Sequence, residues 1–156
     1  KMFSRTSLNV ARLSFIQLRR ASVSVGSKGE VSTEVVPEKT AKVMKSGSLD
    51  VFATPALVAL MEEAACAAIK SALSPSETSV GTAISISHDR ATPSGATVRA
   101  VAEVTAVDGR RIAFNLQAFD DTGASIGKGT HSRAVVDTAK FLSAMNAQSA
   151  GKKKAN

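Results

Sequence analysis

The chain has 156 residues and a formal net charge of +7, room for one compact domain with tails. That charge sits at the ends: residues 1–28 carry six Lys or Arg and no acid, residues 152–154 are three lysines, and residues 29–151 hold eleven basic and thirteen acidic side chains. A phosphate-binding face would need positive charge in the folded part, which excludes a nucleic-acid partner. Glu62 and Glu63 break the longest apolar run short of the roughly 18 residues a membrane span requires.

The first 29 residues, KMFSRTSLNVARLSFIQLRRASVSVGSKG, are rich in Arg and Ser, free of acids, and place Arg5, Arg12 and Arg19 at a seven-residue period. This is the composition of a mitochondrial transit peptide, whereas a secretory signal needs an uninterrupted apolar run of about 7–15 residues. A disordered leader over 1–29 and a mitochondrial matrix location are therefore expected. A folded domain over 30–140 and a basic tail over 141–156 complete the division.

Within the domain, VSTEVV (Val31–Val36) alternates as a first strand and stops at Pro37. Residues 38–50 are polar and connective. Ala53–Leu73, ATPALVALMEEAACAAIKSAL, reads as one long helix, apolar on nearly every side. Thr54 before Pro55 suits a helix start, with the hydroxyl as cap. Four strands follow: Ser79–His88, Thr97–Val107, Arg110–Phe119 and Ala124–Val136, with Asp108-Gly109 as a hairpin turn. Asp137–Asn156 forms a short amphipathic helix that fades into the lysines. The layout is α+β, an antiparallel sheet wrapped around one central helix. A helix so apolar needs more cover than one small sheet, and a second copy of the chain would supply it.

Candidate chemistry begins with Glu62 and Glu63. Helix neighbours point about 100° apart, so the two cannot share a groove. A carboxylate among Val58–Ile69 is either desolvated or held by a partner, and such groups concentrate at reactive sites. Strict alternation puts His88 on one face with Thr82, Ile84 and Ile86, looking toward the helix. His131 shares a face with Gly127, Gly129 and Arg133 and reads as structural. Gly81, inside a strand, marks a bulge or a close approach. Arg133 suits a carboxylate or phosphate. Cys66 reads as a small buried hydrophobe, with no disulfide partner in the chain.

Four blocks in order, VFATPALVALMEEAACAAI, SVGTAISISHDRATPSGATV, VDGRRIAF and IGKGTHSRAVV, resemble the fluoroacetyl-CoA thioesterase family. The resemblance runs from about Val51 to Val136. It implies the hot-dog fold, a homodimer, and hydrolysis of a small acyl-CoA thioester without metal or cofactor. Carried over by position, it implies catalytic roles for Thr54, Glu62 and His88 and substrate contacts for Gly81 and Arg133. Glu63 has no counterpart role and goes to the solvent side. The family's apolar lid with phenylalanines is absent, since no aromatic occurs between Phe15 and Phe52, which leaves an opener pocket and argues against fluoroacetyl-CoA itself. The rival readings are a hot-dog hydratase or dehydratase and a non-catalytic acyl-CoA sensing module. Eight helical residues rise about 12 Å, so Thr54 and Glu62 of one chain hardly touch, and a shared site would need two chains or a later helix start.

Overall fold

The structure, a computed structural model, describes residues 22–153. Residues 1–21 of the expected leader and the last three residues of the tail lie outside the described residues. The elements are β1 (Lys28–Glu34), α1 (Thr54–Ile69), β2 (Glu77–His88), β3 (Thr97–Asp108), β4 (Arg111–Phe119), β5 (Ser125–Asp137) and α2 (Thr138–Lys153). Single turns of 3₁₀ helix occupy Pro37–Lys39 and Lys70–Ala72. All five strands pair antiparallel in the order β1-β3-β4-β5-β2, which leaves β1 and β2 as edges.

Alternation positions the core. Val98, Ala100, Ala102 and Val104 of β3 and Ile112, Phe114, Leu116 and Ala118 of β4 are all buried, so the even positions of both strands face the helix. From α1, Ala56, Leu57, Leu60, Met61, Ala64, Ala65 and Ile69 meet them. The opposite side of α1 stays open. Thr54, Pro55, Ala59, Glu63, Ala67 and Lys70 are exposed along it. Among the described residues, no helix is long and apolar enough to cross a membrane.

The first strand lies earlier than Val31–Val36. Lys28 and Gly29, counted with the leader in the sequence, belong to β1 and pair with Glu103 and Ala102. Packing explains why. A Cβ on Gly29 would sit 2.2 Å from the Ala64 carbonyl oxygen and 2.3 Å from the Ala68 nitrogen, so glycine is what lets the α1 backbone approach the sheet. The β3–β4 hairpin turns at Gly109, whose φ of 56° favours a residue without Cβ.

Two further differences matter for the site. Ala53, extended at φ −78° and ψ 141°, is the N-cap of α1, and Thr54 is the first helical residue without a capping bond. And β2 carries a bulge between Gly81 and Ala83. The extra residue, Thr82, leaves the inward set and bonds through Oγ1 to the Ser132 carbonyl. Gly81 faces the helix instead, and inward parity resumes at Ile84 and Ile86.

Candidate active site

Two polar clusters line the inner wall between α1 and the sheet. The first sits at the start of α1. Freed from capping, the Thr54 hydroxyl meets His88 Nδ1 at 2.9 Å, 34 residues away in sequence at the end of β2. The Phe52 ring presents itself edge-on to the imidazole at 6.3 Å. His88 Nε2 is buried and has no hydrogen-bond partner among the described residues. A cavity of about 220 Å³ opens here, bordered by Ser46, Phe52, Thr54, His88 and Arg90. By helix geometry, the backbone N–H groups of Thr54 and Ala56 lack intrahelical acceptors at this end.

The second cluster lies two turns further along α1. Glu62 is half-open, with 39% of its side chain exposed, and Oε1 lies 3.4 Å from His131 Nε2 and 3.5 Å from Arg133 Nη1. A Cβ on Gly81 would stand 2.5 Å from that oxygen. The bulge turns Gly81 inward, and its missing side chain leaves space for the carboxylate. Arg133 is buried and fully engaged on its far side, donating from Nε to Ser79 Oγ and from Nη2 to the Ser79 carbonyl, each at 2.9 Å. Its Nη1 approaches His131 Nε2 at 3.1 Å.

Within one chain these clusters stay apart. His131 pairs with Ile84, four residues along β2 from His88, a distance of about 13 Å. So the imidazole beside Glu62 is that of His131, not that of His88. Sequence reasoning placed His131 on one face with Arg133 but read it as structural, and it missed Ser79. The available signal was the spacing His131–Arg133, two inward polar residues on one buried strand. Glu63 is exposed, as expected. Cys66 is half-buried rather than core. It lines a groove of about 590 Å³ on the open face of α1, together with Glu63, Lys70, Leu73 and Ser79.

Burial pushes both imidazoles below the ordinary value of 6.5. For His88, the neighbouring Asp89 charge and a backbone bond at Arg90 oppose that shift. For His131, the Ala83 carbonyl opposes it, Arg133 reinforces it, and Glu62 opposes it. The unfolded chain takes up these protons as pH falls below about 6.5, whereas the folded chain resists until lower pH. Stability should therefore decline as pH drops through 6.5 and stay insensitive to these groups above it. Denaturant midpoints at pH 8, 6.5 and 5 check this. A His88→Gln, His131→Gln double variant should show a flatter fall, and an unchanged slope would refute the assignment.

Comparison with known proteins places the fold in a family. The family model described as fluoroacetyl-CoA-specific thioesterase matches residues 35–139. The fluoroacetyl-CoA thioesterase of Streptantibioticus cattleyicolor is 47% identical over 92 residues, which cover 59% of this chain and 66% of that protein's length. A crystal structure of a mutant of the fluoroacetyl-CoA-specific thioesterase FlK superposes with a TM-score of 0.76 at 36% identity, covering 82% of this chain and 98% of that one. A Thermus thermophilus thioesterase superfamily member superposes at 0.78 with 26% identity, covering 86% and 98%. The matched region contains both clusters and all five strands except β1, and on these grounds the chain belongs to the fluoroacetyl-CoA-specific thioesterase family and has the hot-dog fold of those enzymes.

Proposed function

We propose that the protein is an acyl-CoA thioesterase that hydrolyses a small acyl-CoA to free acid and CoA. One observation carries the reading: the Glu62 carboxylate faces the Arg133 guanidinium on its inner side, beside His131, and is open on its outer side. A carboxylate so placed can take a proton from water or attack a thioester carbonyl itself, passing through an anhydride. Water attack adds hydroxide to the carbonyl carbon and sends the proton to Glu62. The oxyanion then collapses, and the thiolate leaves and takes up a proton. His88, with its unpartnered Nε2, is suited to orient the water or meet developing charge. Thr54 and the free N–H groups at the α1 start are suited to the oxyanion.

This assignment needs both clusters at one acyl group, and a homodimer would bring them together. The outer edge of β2 has no neighbouring strand among the described residues. Two β2 edges pairing antiparallel would run in opposite directions, setting His88 of the partner subunit toward the Gly81 end of this one. The open face of α1 would be covered by the same contact. That supports sites shared between subunits.

The loop over residues 40–50 argues for a substrate other than fluoroacetyl-CoA. It folds on itself, with Ala41 N bonded to the Val51 carbonyl and Lys42 N to the Leu49 carbonyl. It exposes the aliphatic Val43, Met44 and Leu49 and has no aromatic side chain to close over an acyl group. Purified protein offered a panel of acyl-CoAs should release free thiol from short, unfluorinated esters. Absence of thiol from every member, with enoyl esters instead gaining or losing water, would replace hydrolysis with the hydratase reading.

A further inference from the structure

We propose that His131 is a positioning residue for Glu62, acting through Arg133, and that it works only as a neutral imidazole protonated on Nδ1. The inference rests on Glu62 being the reacting carboxylate and adds a residue to that machinery.

Hydrogen-bond direction fixes the protonation state. His131 Nδ1 lies 2.7 Å from the Ala83 carbonyl oxygen, which can only accept, so Nδ1 carries hydrogen. Arg133 Nη1 lies 3.1 Å from Nε2, and a guanidinium nitrogen can only donate, so Nε2 offers its lone pair. Both bonds are satisfied together by one species, the neutral Nδ1–H tautomer. The surroundings agree. The His131 side chain has no exposed surface, and burial together with the Arg133 charge disfavours the cation.

The arrangement sets the direction of Arg133. Nε and Nη2 are tied to Ser79, and one hydrogen of Nη1 goes to His131. The guanidinium is planar, so three anchored bonds leave its second Nη1 hydrogen on the side of Glu62 Oε1, 3.5 Å away. His131 thus acts as the acceptor that turns Arg133 toward the carboxylate. Every element packed around the imidazole is accounted for. Glu62 comes from α1, the Ala83 carbonyl from β2, the Phe114 ring from β4 at 6.0 Å, and Arg133 from β5 itself. Glu62 and Arg133 are the charged groups facing it. Protonation at Nε2 would convert the acceptor into a donor, break the Arg133 bond, and direct Nε2–H at Glu62 Oε1. The carboxylate would then be held in an ion pair and withdrawn from attack.

The chain contains two histidines, His88 and His131, so imidazole nitrogen spectra of the full chain labelled with ¹⁵N-histidine are assignable with one His88→Gln variant. At pH 7 His131 should be neutral with its proton on Nδ1. A charged ring or an Nε2–H tautomer would overturn the proposal. This readout needs no substrate, so it stands apart from the hydrolase reading, which fails instead if no acyl-CoA is turned over. In kinetics, His131→Leu should lower kcat about ten- to a hundred-fold with little change in KM, the signature of a displaced reacting group. His131→Gln, which keeps a donor and an acceptor, should recover most of that loss and remove the His131 component of the fall in kcat at low pH, the acid limb of the rate profile. A folded His131→Leu enzyme with wild-type kcat and an unchanged acid limb would show that the residue only fills space.

Discussion

Replacing Glu62 with Gln should abolish thiol release while acyl-CoA binding persists. The substitution keeps the shape of the side chain and its room beside Gly81, where a single added Cβ would stand 2.5 Å from the carboxylate oxygen. It removes the negative charge that faces Arg133 and the oxygen that could take a proton or attack carbon. General-base and nucleophilic roles each contribute on the order of 10²–10⁴-fold, so a loss of about 10³-fold or more in kcat is expected. The neighbouring Glu63→Gln should leave kcat unchanged, because Glu63 is exposed and points about 100° away around the helix. The pair separates three readings. A hydrolase loses thiol release with Glu62→Gln and keeps it with Glu63→Gln. A sensing module binds acyl-CoA tightly, releases no thiol in any form, and is indifferent to His88 substitution. A hydratase changes the enoyl chromophore instead. Unaltered thiol release in Glu62→Gln would remove Glu62 from the chemistry altogether.

The elements were legible because their signals are local. Period-two alternation located β3 and β4, and Pro55 and Pro75 bracketed the apolar helix. What escaped were choices settled by distant atoms. Thr54 before Pro55 has the pattern of a capping hydroxyl, yet the helix begins one residue earlier than that pattern implies, and the hydroxyl finds His88 across 34 residues. Alternation put Thr82 inward, but the bulge inserts it as the unpaired residue and hands the inward place to Gly81. The glycine hinted at irregularity without saying which neighbour would leave the ladder. His131 was placed on one face with Arg133, and both prove to be buried there. Its partner Glu62 lies on an element 69 positions earlier, and nothing in the spacing of either segment links them. The shared face was readable; the partner was not.

That separation leads to the second large effect, which concerns whole subunits. If a site takes Glu62 from one chain and Thr54 with His88 from its partner, two inactive variants should restore each other. Glu62→Gln homodimers lack the carboxylate in both sites, and His88→Ala homodimers lack the imidazole in both. A heterodimer of the two has one site in which intact Glu62 meets intact Thr54 and His88, and one site damaged on both sides. Random exchange in a twofold dimer makes half of the molecules heterodimers with half of their sites intact, so activity should climb to about a quarter of wild type. Separate geometry within each chain predicts none, because every chain in the mixture then carries a damaged site of its own. Recovery is the expected outcome because eight helical residues separate Thr54 from Glu62, about 12 Å along α1. Subunits exchanged through mild denaturant and assayed for thiol release decide it, with wild type carried through the same steps as the reference. Silence in the mixture, with heterodimers demonstrated by a mass tag, would place each site inside a single chain and would require α1 or β2 to move before hydrolysis.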